Sequence, residues 1–130
     1  MDLGIAGKSA VVTGGSMGIG KAIAIAFANE GAKVALTSRN VERLEQVAAE
    51  IRDAGGLADC WQMDVSREIE VEESVRKITS RWGQIDILVN NAAIIHPETP
   101  VWSTPISQWD EEMALNLRGT FICCHSVVHG

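Results

Sequence analysis

The stretch Thr13-Gly14-Gly15-Ser16-Met17-Gly18-Ile19-Gly20 decides the architecture of this 130-residue chain. Its glycines stand between a short apolar run, Ser9 to Thr13, and an Ala-rich run, Ile19 to Asn29. The first run reads as a buried strand, and the second as a helix that Gly31 stops. A glycine-rich turn at such a junction has a physical use. Gly14 permits a tight turn, Gly18 lets a diphosphate approach the backbone with no Cβ in the way, and Gly20 lets the helix pack closely on the sheet. The diphosphate then meets N–H groups at the helix N-terminus, with Thr13, Ser16 and Ile19 completing the turn.

Outward from the turn, strand-like and helical patterns alternate, which is the signature of βαβ units around a parallel sheet. Lys33 to Ser38 reads as a second strand, followed by a helix with apolar residues at Val41, Leu44, Val47, Ala48 and Ile51. Leu57 to Asp64 is a third strand, and a helix from about Arg67 to Trp82 carries Val71, Val75, Ile78 and Trp82 on one face before Gly83 stops it. Ile85 to Val89 is a fourth strand. Pro97, Pro100 and Pro105 mark one long loop, after which Ser107 caps a last helix that starts near Gln108 and runs through Met113, Leu117 and Phe121. With right-handed crossovers, the expected fold is α/β: a doubly wound parallel sheet of order 3-2-1-4, ending after four strands, in a single dinucleotide-binding domain over residues 1–130.

The end of the second strand selects the dinucleotide. An acid that would bind a ribose is expected about 20 residues beyond the turn, and that position holds Ser38 followed by Arg39. A small hydroxyl beside a guanidinium suits a 2′-phosphate, so NADP(H) is favoured, with NAD(H) the alternative. A rival reading starts from Gly15 to Lys21, which also spells Gly-x-x-x-x-Gly-Lys, the core of a triphosphatase phosphate loop. Ala22 stands where that loop needs Ser or Thr for Mg²⁺, and the fourth strand ends in Asn90, not Asp.

Composition excludes other classes. There are 11 Lys and Arg against 17 Asp and Glu, a formal charge of −6, the wrong sign for a nucleic-acid binder. The longest apolar run, Ala22 to Ala28, is far short of the roughly 18 residues of a membrane span. The first residues carry neither the basic nor the apolar segment of a secretory signal, and the cysteines are three, with Cys123 and Cys124 adjacent, so a reducing, cytoplasmic setting is expected. The chain has 4 Trp and 0 Tyr, so no phenol is available among these residues as a proton donor.

Taken together, these motifs resemble the short-chain dehydrogenase/reductase family, whose signature Thr-Gly-x-x-x-Gly-x-Gly stands here as Thr13 to Gly20. Asp64-Val65 matches the family's adenine-contacting pair, and Asn90-Asn91-Ala92-Ala93 matches its Asn-Asn-Ala-Gly. Asn116 matches the family's helical Asn. The resemblance implies NADP-linked hydride transfer between a small-molecule carbonyl and an alcohol. It gives Asn90 a supporting role in the sheet, Ala92 a place near the cofactor, and Asn116 a catalytic role in holding a water of the proton relay. Two departures are Met17, where NADP-selective members often carry Lys or Arg, and Ala93 in place of glycine. The resemblance covers about half of a family domain. The family's Ser and Tyr-x-x-x-Lys, its last strands and its usual oligomer helices lie further downstream, so these 130 residues alone are expected to be inactive, a truncated reductase or a non-catalytic dinucleotide-binding module.

No metal site is expected: His125 and His129 stand at i, i+4 beside Cys124, but no further ligand is spaced to complete a set. His96 either contacts substrate or sits on the loop surface, and Trp102 and Trp109 either line a substrate pocket or anchor the loop to the last helix. Cys123 and Cys124 read as small core residues.

Overall fold

The computed structural model describes residues Met1–His129. Strands β1 (Ser9–Thr13), β2 (Lys33–Ser38), β3 (Leu57–Gln62) and β4 (Ile87–Val89) form one parallel sheet in the order β3-β2-β1-β4. The connecting helices are α1 (Gly18–Asn29), α2 (Val41–Asp53) and α3 (Glu68–Trp82). Side chains alternate across a strand, so neighbouring residues feed opposite layers. Val12, Val34 and Leu36 meet Ala24 of α1 and Leu44, Val47 and Ile51 of α2 on one face. Val11 and Ala35 face the other layer, where Val71, Val75 and Ile78 of α3 lie with Leu115 and Ile122. The expected doubly wound sheet is therefore present, with β1 fully buried at its centre and β4 half-buried at its edge.

Strand and helix ends depart from the sequence reading for identifiable reasons. β3 stops at Gln62 because Asp64 turns the chain: its Oδ1 accepts from the Ser66 amide at 2.9 Å and from the Ser66 hydroxyl at 2.6 Å. β4 begins only at Ile87 because Asp86 supplies a side-chain substitute for the ladder, its carboxylate accepting from the Ser9 amide at 2.9 Å. The last helical segment starts at Ile106 after Pro105, with no side-chain cap, so Ser107 lies inside it. Proline's fixed φ already sets the chain for a helical start, and the Pro105 carbonyl accepts from the amides of Gln108 and Trp109.

That segment has three parts: α4 (Ile106–Glu112), a π-helical stretch at Met113–Arg118, and α5 (Gly119–His129). Its inward stripe is Leu115, Gly119, Ile122, Cys123 and Ser126, while Leu117 and Phe121 point to solvent. The buried face needs a small residue at Gly119, because a Cβ there would come within 2.8 Å of the Val65 side chain. Among the described residues, no helix is long and apolar enough to cross a membrane.

Candidate functional site

β1 and β2 end in register, Thr13 beside Thr37, which brings the glycine turn and the residues after β2 together at the carboxyl end of the sheet. The Gly15 amide donates to the Thr37 carbonyl at 3.2 Å, and the Ser38 hydroxyl donates to that of Ser16 at 3.3 Å. Close approach fixes the turn's shape: a Cβ at Gly20 would strike the Gly14 carbonyl oxygen. Gly18 is the opposite case, with φ +56° and open space where a Cβ would stand. An unobstructed backbone at the start of a 12-residue helix is what a diphosphate needs.

The other wall comes from the end of β4. Thr13 Oγ1 accepts from the amides of Asn91 and Ala92, each at 3.0 Å, and donates to the Val89 carbonyl at 3.3 Å. Asn91 Nδ2 donates to the Gly14 carbonyl at 3.1 Å. The brace assigned to Asn90 by resemblance therefore falls on Asn91, while Asn90 Nδ2 turns away and donates to Cys124 Sγ at 3.3 Å. Alternation explains the exchange, since adjacent side chains of an extended chain point to opposite sides. Cys124 is correspondingly exposed and not part of the core; Cys123 is buried, and its thiol is pushed up to about 11 by desolvation.

A groove of about 800 Å³ crosses this end of the sheet, within the roughly 300–1,000 Å³ range of small-molecule sites. Gly14, Ser16, Ser38 and Arg39 line one part of it; Asp64, Val65 and Ala92 line the rest. Thr13 and Gly20 are buried behind the turn, whereas Gly18 and Ile19 are exposed on it. Asn116 reaches the groove through another residue. Its Oδ1 accepts from the Ile94 amide and its Nδ2 donates to the Ile94 carbonyl, both at 2.8 Å, and Ile94 lines the wall. The side chain expected to hold a water is thus engaged at both ends in holding the strap after β4.

The same strap is fastened again at His96, whose Nδ1 lies 2.7 Å from Glu112 Oε1 and whose Nε2 lies 3.4 Å from Glu111. The hydrogen bond from the His96 ring holds the Glu112 carboxyl below the ordinary glutamate range. Trp102 and Trp109 are 86% and 56% exposed, and neither lines the groove. Lys21, which a triphosphatase would place on a phosphate, pairs with Glu50 at 3.0 Å. Among the wall residues to which the sequence reading gave no role are Asn91 and Arg43. Arg43 follows the N-cap Asn40 by one turn and so shares the groove with Arg39, a juxtaposition visible only once the helix start is known.

The profile of the short chain dehydrogenase family matches residues 8–130. The chain belongs to this family. Among curated relatives of this short chain dehydrogenase is the uncharacterized oxidoreductase YxbG of Bacillus subtilis (strain 168), 41% identical over 116 residues that cover 89% of this chain and 42% of the relative. The D-threitol dehydrogenase of Mycolicibacterium smegmatis is 36% identical over 126 residues, 97% of this chain and 48% of its own. A metagenomic short-chain oxidoreductase solved in complex with NADP superposes with a TM-score of 0.92 at 35% identity, over 96% of this chain and 57% of that one. A dehydrogenase/reductase from Sinorhizobium meliloti 1021 gives 0.89 at 43% identity, over 95% and 49%. The chain spans about half the length of these relatives.

Proposed function

We propose that this short chain dehydrogenase is an NADP(H)-dependent oxidoreductase, acting on a small carbonyl or alcohol substrate, and that residues 1–130 form its dinucleotide-binding unit. The observation that carries the cofactor is Arg39, which follows β2 in the groove wall beside Ser38 and has no carboxylate within ion-pair distance among the described residues. A free guanidinium at the ribose position suits a 2′-phosphate and leaves a 2′-hydroxyl without an acidic partner. In this reading Gly14, Ser16, Gly18 and Ile19 meet the diphosphate, with Thr13 and Gly20 setting the turn's shape. Asp64 and Val65 meet the adenine, and Asn90 and Ala92 lie on the nicotinamide side. Asn116 acts as a positioning residue through Ile94. The bound NADP of the metagenomic relative and the polyol named for the D-threitol dehydrogenase support this cofactor and substrate class. A cytoplasmic setting and self-association of the protein belong to the same proposal.

NADPH is expected to bind about 10- to 150-fold more tightly than NADH, the range of one charge-assisted hydrogen bond of roughly 1.5–3 kcal/mol. Fluorescence titration of both reduced cofactors measures it, and equal affinities overturn the NADP(H) assignment.

A second reading, a dinucleotide-binding module without turnover, is favoured for these residues by the absence of Tyr. Hydride addition to a carbonyl builds charge on oxygen that a positioned acid must meet. Lys8, Lys21, Lys33 and Lys77 all precede β4, and Asn116 cannot supply a proton at neutral pH. A polypeptide of these 130 residues should therefore bind NADPH yet show no NADPH oxidation with a panel of ketones. Cofactor-dependent turnover that disappears on Asn116→Ala would reject this reading.

A further inference from the structure

Arg43 lies outside every motif of the turn, yet its guanidinium reaches it. Nη1 donates to the thioether of Met17 at 3.1 Å, and Arg43, Met17, Ser16 and Arg39 line the same part of the groove. A thioether is a weak acceptor, and a guanidinium carries five N–H donors, so four remain unused by the Met17 contact. Arg43 also has no carboxylate at ion-pair distance among the described residues. Arg52, Arg67, Arg81 and Arg118 are paired, and Arg76, which has no such partner among the described residues either, does not line the groove. The neighbouring Glu42 lines the groove without engaging either guanidinium. Two unpaired guanidinium groups therefore flank the hydroxyls of Ser16 and Ser38, which bond each other at 3.3 Å.

Placement follows from the local fold. Asn40 Oδ1 accepts from the Arg43 amide at 3.1 Å, which fixes the first turn of α2 and sets Arg43 on the side of the glycine turn. Leu44, the next residue, is fully buried in the core and holds that rotation of the helix. Arg39 leaves the strand end and Arg43 leaves the helix, so the two cations approach one volume from different elements.

We infer that Arg43 is a second specificity-determining cation for a phosphomonoester on the ribose 2′-oxygen, exchanging its Met17 contact for the phosphate when the ligand binds. This rests on the NADP(H) reading above and extends it to a residue outside the signature. Two guanidinium groups of different origin discriminate better than one, because each presents N–H pairs matched to phosphate oxygens.

The test compares ligands with and without the 2′-phosphate on wild type, Arg43→Ala and Arg43→Lys. Adenosine 2′,5′-bisphosphate and NADPH should each bind about 10-fold more weakly to Arg43→Ala, while 5′-AMP and NADH stay within about twofold. Arg43→Lys, which keeps the charge but not the fork, should lose less than Arg43→Ala. Arg43 is exposed in a helix where Ala is well tolerated, and circular dichroism verifies the fold. A wild-type preference for NADPH that Arg43→Ala leaves undiminished overturns the inference and leaves the NADP(H) reading standing. No preference in the wild type overturns both. Equal losses for phosphorylated and unphosphorylated ligands place the effect in helix packing and also overturn it.

Discussion

Thr13 and Thr37 sit side by side at the ends of β1 and β2, each 1% exposed, yet their hydroxyls have opposite consequences. The Thr13 hydroxyl satisfies two backbone amides of the segment after β4. The Thr37 hydroxyl is buried with no hydrogen-bond partner among the described residues. A buried donor or acceptor left unmet costs roughly 1–3 kcal/mol, whereas removing an unmet one removes that cost. Thr13→Val should therefore lower unfolding stability by about 2–4 kcal/mol, as the amides of Asn91 and Ala92 lose their acceptor. Thr37→Val should raise it by about 1 kcal/mol, since Val keeps the shape and suits a buried strand. Urea unfolding of the two variants decides it, and a shift of the same sign in both would show that the hydroxyl partners do not control the outcome.

At the scale of elements, the strap after β4 has no secondary structure of its own and is held to the helical segment by Asn116 on Ile94 and by Glu112 on His96. Glu112 also accepts from the His96 amide at 3.2 Å. Its carboxyl is held below the ordinary glutamate range first by the His96 ring and then by this amide, so the sign of the pH effect follows. A depressed carboxyl contributes stability above its unfolded value and loses it as pH falls through the folded one. Glu111 also faces the ring, its carboxylate 3.4 Å from His96 Nε2. Hydrogen exchange at the His96 amide should accelerate, relative to Ile94, as pH drops below the ordinary glutamate range, and Glu112→Gln should abolish that pH dependence. An exchange ratio indifferent to pH in the wild type would reject the latch. None of this was legible in the sequence, because the latch joins residues 16 apart across an irregular loop. The sheet order was legible, because Val11 and Val12, and Ala35 and Leu36, are apolar on both faces and only a sheet covered on both sides accommodates that. The glycine turn was legible for a related reason: Gly20 is required by the contact with the Gly14 carbonyl, a local constraint that leaves a local mark. The last helical segment was legible as a helix, but not its start, which Pro105 sets in place of a Ser107 cap, nor its middle, which widens into a π-turn at Asn116. A pattern based on regular helical spacing carries no signal for either.

Across the described residues, eight of the fifteen large apolar side chains left in solvent lie in the segment after β4. Ile95, Val101, Trp102, Ile106, Trp109, Leu117, Phe121 and Val128 are all exposed, most of them by more than two thirds, and all follow β4. Exposed apolar side chains gathered in this way mark interaction surfaces, whereas scattered ones need no account. A second route to association is the edge of β4, a three-residue strand that pairs only with β1. The two differ in what would disrupt them. β4 is short and half-buried, which blunts it as a pairing edge, whereas Leu117 and Phe121 are 65% and 67% exposed one helical turn apart. The helical face should therefore dominate. The formal charge of −6 opposes self-association only at long range and is screened within about 8 Å at physiological ionic strength. The 130-residue polypeptide should sediment as a dimer or larger species at micromolar concentration, and the double variant Leu117→Glu, Phe121→Glu should sediment as a monomer. Neither residue lines the groove, so the variant's affinity for NADPH should match the wild type. Persistent association of the double variant would move the interface to the β4 edge, and a Pro substitution at Leu88 would then be the variant that dissolves it.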